Sequence, residues 1–245
     1  VALAELVKNA YDADATHVKI HLKNVKKSGG TIIVEDNGLG MPFSDIQKTW
    51  MRIATIDKEK NPISKKYKRT KSGEKGLARF ACRRLSKILI VKSIAATEEG
   101  GKEEFNATFN WSSFTPGSDV NKIPVEYSLK PVATDTPTGT ILTLEDTTEA
   151  WTAGDIRKLR SELADYISPF TFKPEFELKK TPEEYDPGFH VEFNIPEFPT
   201  TKETLDETFF KNAWAKMSGF VDENGFATYE IKILNKIINQ LERQY

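Results

Sequence analysis

The 245 residues hold a single cysteine, Cys82, so the chain can form no internal disulfide and offers no cysteine cluster for zinc. Histidine is almost as scarce. His17, His21 and His190 are too few for a His-rich metal centre. No stretch of eighteen apolar residues exists, which excludes a membrane-spanning helix. Neither sign of charge prevails: 35 basic against 36 acidic side chains leave a net charge of -1, so no global field points to nucleic acid or anionic lipid. A Walker A loop, a G-x-G-x-x-G unit, internal repeats and low-complexity tracts are absent as well. What is present is the balance of a soluble globular protein, 38% hydrophobic and 29% charged. A cytoplasmic protein that does not engage membranes is the expectation.

Val1-Ala-Leu-Ala-Glu5 reads as the middle of a helix, without the charged and apolar regions of a signal peptide. A piece of a longer protein is therefore expected. Leu3, Leu6, Val7 and Ala10 recur at helical spacing, and Glu5, Asn9 and Asp12 fall on a different arc. Val18, Ile20 and Leu22 alternate with polar residues, which predicts a strand over 17–23. Thr31 to Glu35 predicts a second, closed by the turn Asp36-Asn-Gly-Leu-Gly40-Met41. Residues 57–75 carry eight Lys/Arg against three Asp/Glu and lack apolar periodicity, so they read as a long mobile loop. A helix follows over 77–85, with Cys82 on its inner side. Strands are expected near 88–94, 104–111, 123–130 and 139–145, and a helix over 152–167. Beyond it lie a strand at 188–195, a helix near 203–217, a strand at 226–233 and a closing helical pattern from Ile231. The four tryptophans read as core or interface residues, and His190 as structural.

Three features carry chemistry. Glu5 and Asn9 sit one helical turn apart. A carboxylate can take a proton from water, and an amide oxygen can join a hard cation's shell without adding charge. Such a pair also occurs on ordinary exposed helices. The turn Asp36–Gly40 places an acid after an apolar strand, followed by two glycines that let backbone approach a flat ligand while the carboxylate accepts a hydrogen bond. The plain alternative is a hairpin turn with a capping Asp. Gly73-Glu-Lys-Gly76 opens a helix, where backbone N–H groups can meet an anion, although many loops end in this way.

In this order, Glu5-Leu-Val-Lys-Asn9-Ala-Tyr-Asp12, Asp36-Asn-Gly-Leu-Gly40-Met41 and Gly73-Glu-Lys-Gly76, with Gly139-Thr140 as a fourth motif, the sequence resembles the GHKL ATPases. That superfamily holds gyrase B subunits, heat-shock chaperones of the ninety-kilodalton class, histidine kinases and MutL proteins. The resemblance spans roughly residues 1–170. It is nearest to the mismatch-repair and chaperone branches, whose first helix also reads Glu-Leu-x-x-Asn followed by an Asp. Ser72-Gly-Glu-Lys-Gly-Leu-Ala78 departs from every single branch, which leaves the individual phosphate contacts open.

The resemblance implies an α+β Bergerat fold, a two-layer α/β sandwich with a mixed, mostly antiparallel sheet covered by helices on one face. It implies an ATP-binding domain over 1–170 with a lid at about 42–75, and an extension over 171–245 that begins a second α/β domain. Asp36 would accept a hydrogen bond from the adenine amino group, Gly38 and Gly40 would leave room for the base, and Met41 would pack beside it. Thr140 would sit under the adenine and share a water with Asp36. Asn9 would ligate Mg²⁺, and Glu5 would activate the attacking water. Backbone from Gly73 through Gly76 to Leu77 would cradle the phosphates, with Lys75 adding charge. Asp12 reads as support for the helix and turn. The implied activity is slow, Mg²⁺-dependent ATP hydrolysis coupled to lid closure and to pairing of two such domains as a homodimer. Nucleic acid or a client protein would be met only through regions outside this chain. The alternatives are a histidine-kinase-like phosphotransfer domain and a non-catalytic ATP-binding switch.

Overall fold

Alternation along the strands builds one apolar sheet face. In β1 (His17–Lys23), Val18, Ile20 and Leu22 are fully buried while His17, Lys19, His21 and Lys23 point away. β2 (Thr31–Asp36) buries Ile32 and Val34 on the same side. The computed structural model describes residues 2–47, 62–71, 78–113, 125–164, 186–198, 215–221 and 225–233. Within these, β3 (Ser86–Ala96), β4 (Lys102–Asn110), β5 (Glu126–Val132), β6 (Gly139–Thr147) and β7 (His190–Asn194) complete a seven-stranded sheet. Its order is β5-β4-β3-β6-β2-β1-β7. Five of the pairings are antiparallel, and β1 with β7 is parallel. The expected mixed, mostly antiparallel sheet is what forms.

Helices cover the apolar face. α1 (Ala2–Asp12) buries Leu3, Leu6, Val7 and Ala10. α2 is a single turn (Phe43–Asp45), and α3 (Ala78–Leu85) buries Cys82. α4 (Ala153–Ala164) buries Ile156, Leu159 and Leu163. These side chains share one core with the inward residues of the strands. Burying each large aliphatic group contributes about 1.5–3 kcal/mol. α4 begins with a reciprocal cap: the Thr152 backbone N–H donates to Asp155 (2.8 Å), and the Asp155 N–H donates to the Thr152 hydroxyl (3.2 Å). Burial pushes the Cys82 thiol up to about 12, which suits a packed, unreactive group. Trp111 and Trp151 pack against the core, and Trp50 and Trp214 lie outside the described residues.

Two segments differ from expectation. Residues 62–71, within the stretch read as a mobile loop, form a closed turn. Ile63 and Thr70 make a bridge, Ser64 N donates to the Arg69 carbonyl (2.9 Å), and Lys71 N to that of Pro62 (2.8 Å). Farther on, Ala215–Val221 forms a strand, β8, where the end of a helix was expected. The strand expected over 226–233 forms as β9 (Ala227–Ile233), and it takes in Ile231 to Ile233, where the closing helical pattern was also expected to begin. Both apolar patterns are short enough to fit either period, and antiparallel pairing of the two strands decides the outcome. The chain divides into two compact units, Val1–Leu205 and Asp206–Tyr245. β7, which the sequence reading assigned to the extension beyond residue 170, therefore belongs to the main sheet. The second unit contains the β8–β9 hairpin.

Candidate nucleotide site

The inward face of the sheet is largely apolar until one rung turns polar. Asp36 of β2 stands opposite Thr140 of β6, and Thr140 opposite Ser93 of β3. Thr140 and Ser93 are buried and Asp36 is half-buried. Burial pushes the Asp36 carboxyl up from 3.8 to about 6. Hydrogen bonds from the Gly38 and Thr140 backbone and the Thr140 hydroxyl oppose the rise, while the charge of neighbouring Glu35 adds to it. The Gly38 N–H lies 2.8 Å from Asp36 Oδ1.

The turn after Asp36 is fixed by close approaches. A Cβ on Gly38 would lie 2.7 Å from the Ala13 carbonyl oxygen. Gly40 has φ +68°, and a Cβ there would collide with the Ile94 carbonyl. Only glycine meets both demands at position 40. Met41 is tied down twice by Ser93: its N–H donates to Ser93 Oγ (2.7 Å), and that hydroxyl donates to the Met41 carbonyl (3.2 Å). Asn37 fastens the turn to the start of β1. Its Oδ1 accepts from Thr16 N (2.9 Å) and His17 N (2.8 Å), and its amide donates to Thr16 Oγ1 (2.9 Å).

α1 joins this turn through the Leu39 N–H, which donates to the Ala13 carbonyl (2.9 Å). Glu5 and Asn9, both half-buried, stand one turn apart on the helix. Glu5 Oε1 is ion-paired with Lys8 at 2.7 Å, with side chains 12% and 20% exposed respectively. Asp12 is buried near the helix end.

The structure thus brings Asp36, Gly38, Gly40, Met41 and Thr140 into one turn-and-rung assembly, and a backbone bond from Leu39 to Ala13 ties it to the end of α1, the helix that carries Glu5 and Asn9. Gly73, Lys75, Gly76 and Leu77 lie outside the described residues. Sequence reasoning passed over Ser93, although a serine at an inward strand position between Val91 and Ala95 was a readable signal. It also passed over Asn37, which adjoins the acid it did single out. No group of three His, Cys, Asp or Glu side chains able to hold a metal occurs among the described residues. Asn9 is a neutral oxygen donor, and Mg²⁺ commonly takes one or two protein ligands plus phosphate oxygens of its substrate. The residues present fit an ion that arrives on a polyphosphate.

Residues 1–135 match the family described as histidine kinase-, DNA gyrase B- and HSP90-like ATPase. Over 112 residues the chain is 37% identical to the DNA mismatch repair protein MutL of Clostridium tetani, covering 45% of this chain and 17% of that protein. Over 90 residues it is 32% identical to a Herpetosiphon aurantiacus protein described as a type II restriction enzyme, HgiDII, covering 36% of this chain and 14% of that one. The matched stretch thus spans less than a fifth of either relative. Among solved structures, the ATPase region of Saccharomyces cerevisiae topoisomerase II aligns with a TM-score of 0.49 at 10% identity. That alignment covers 91% of this chain and 55% of the other.

Proposed function

Since the chain belongs to the histidine kinase-, DNA gyrase B- and HSP90-like ATPase family, we propose that it binds ATP at the Asp36 turn and hydrolyses it slowly with Mg²⁺. The observation that carries this reading is the polar rung Asp36–Thr140–Ser93, set in a largely apolar sheet face beside a glycine turn. A carboxylate recessed there accepts from the adenine 6-amino group, and guanine's oxygen at that position offers no donor. Thr140 holds the carboxylate from below, Gly38 and Gly40 leave the base room, and Met41 packs beside it.

Asn9 would hold Mg²⁺ together with phosphate oxygens, and the ion would supply neutralisation of the phosphate charge. Glu5 orients the attacking water and takes its proton. To act so, its carboxylate must share or give up the ion pair with Lys8. Gly73, Lys75, Gly76 and Leu77 would meet the phosphates with backbone N–H groups and one cation. We further propose that turnover is coupled to closure of the 42–75 segment and to pairing of two such domains. The biological task is set by parts of the protein outside this region.

The test is titration with ATP and GTP, with and without Mg²⁺, followed by phosphate release from wild type and Glu5→Gln. Mg²⁺-dependent binding of ATP over GTP, with release lost only in the variant, is the expected result. Binding without release in wild type would identify a switch rather than a hydrolase. Binding of neither nucleotide would overturn the reading.

A further inference from the structure

We propose that Asp14 and Arg69 are positioning residues of the nucleotide site, fastening residues 62–71 to the α1–β1 turn and so setting the end of α1 that carries Asn9. This proposal rests on the ATP reading above. Neither residue belongs to the turn-and-rung assembly, and both are almost completely buried.

Asp14 lies in the turn after α1 with φ +60°, a conformation that glycine and, less readily, Asn or Asp adopt. Its carboxylate accepts from the Ser64 hydroxyl (2.6 Å), the Lys66 N–H (2.7 Å) and the Tyr67 N–H (3.0 Å). One aspartate thus receives the tip of the 62–71 turn. Arg69 closes the other side. Its guanidinium donates from Nη1 to the Ala15 carbonyl (2.5 Å) and more weakly to that of Tyr11 (3.4 Å). Nε and Nη2 grip both oxygens of Asp186, at 2.7 and 2.5 Å, and Nη2 also reaches the Gly188 carbonyl (3.0 Å). The rings of Tyr11 and Tyr67 face the cation at 4.7 and 5.0 Å. Burial favours a neutral Asp186, yet the bonds from Arg69 and Gly188 outweigh it and hold that carboxyl below its ordinary value.

The placement gives these contacts a role beyond folding. Arg69 lies at the carboxyl end of α1, where a cation meets the negative pole of the helix, and it shares the Tyr11 carbonyl with the Asp14 N–H. The turn that Asp14 and Arg69 hold, Ala13 to His17, is the same turn to which the Asp36 loop is bonded through Leu39 and Asn37. The Asp36 side has further supports away from this turn, in Ser93 of β3 and Thr140 of β6. The last turn of α1, where Asn9 sits, is the part that depends on Arg69. Loosening the clamp should therefore impair contacts to metal and phosphate and spare those to adenine.

Asp14→Gly removes both acceptor oxygens, and with them all three hydrogen bonds, while accommodating φ +60°, so the variant should fold. We expect its affinity for adenosine to stay within twofold of wild type and its affinity for Mg²⁺·ATP to fall tenfold or more. Asp14→Asn, which keeps an acceptor and tolerates the backbone, should recover most of that loss. A merely structural role would weaken both ligands together, and that outcome, or no change in either, would overturn the proposal. A second readout needs no nucleotide. Lys65, Lys66 and Lys68 are exposed on the fastened turn, and trypsin should cut there faster in Asp14→Gly than in wild type. If wild type bound neither ligand, the ATP reading would fail by itself. Unchanged cleavage in the variant would then refute the clamp separately.

Discussion

Asp36 illustrates how a recessed carboxylate opposes the fold that holds it. Its carboxyl is raised from 3.8 to about 6 because burial penalises the charge. A raised acid contributes stability that is fully present below about pH 4 and is lost as the pH climbs through 6. Asp36→Asn keeps an acceptor for the Gly38 N–H without the charge. The variant without nucleotide should therefore melt higher than wild type at pH 8, and the difference should vanish near pH 4. Calorimetry across that range checks it; a variant that melts lower at pH 8 contradicts the account. Ligand binding should move the opposite way. Losing a charge-assisted hydrogen bond costs about 1.5–3 kcal/mol, so ATP affinity should fall in the variant, and in wild type as pH drops below about 6. Asp36, Gly38 and Gly40 were legible because turn chemistry is local: an acid at a strand end and glycines where backbone must come close. Asp14 and Arg69 were not. Their side-chain partners lie fifty or more residues away, and a basic run such as 57–75 ordinarily signals a solvated surface.

At the scale of elements, the strands followed from alternation, whereas their order did not. Period-2 burial marks β1, β2, β3 and β6 in the sequence, but nothing local says that β6 inserts between β2 and β3. That insertion is what sets Thr140 beside Asp36 and Ser93. The opposite face of the sheet carries a different cluster across β3, β4 and β5. Glu104 accepts from Asn106 (2.9 Å) and pairs with Lys130 (3.0 Å) and Lys92 (3.2 Å). The bond from Asn106, then that from Lys130, bring its carboxyl down from 4.5 to about 2. A lowered acid gives stability above about pH 4.5 that is lost as the pH falls toward 2. Glu104→Gln should flatten the decline in melting temperature between those values. A decline as steep as wild type would show that the three strands do not depend on this pair of lysines.

For the whole molecule, the parallel pairing of β1 with β7 matters most. β7 and its flanks bury Phe189, Val191, Phe193 and Ile195, and Asp186 anchors Arg69 just upstream. Ending the chain at residue 170 strips all of these and bares the edge of β1, whose unpaired N–H and C=O groups invite association. Such a chain should aggregate or unfold without cooperativity. One ended at residue 205 should keep a single sharp transition and the ATP affinity of the full chain. Equal stability of the two would mean that β7 is dispensable.

That pairing also imposes a schedule on synthesis. His17 aligns with His190, so β1 leaves the ribosome 173 residues ahead of its neighbour. At ordinary elongation rates of roughly 5–20 residues per second, the wait is about 10–35 seconds. Throughout it the nascent chain holds a strand of Val18, Ile20 and Leu22 with one edge open. Lys19 and Lys23, on its outward side, supply charge of the kind that discourages neighbouring chains from joining before the rightful partner arrives.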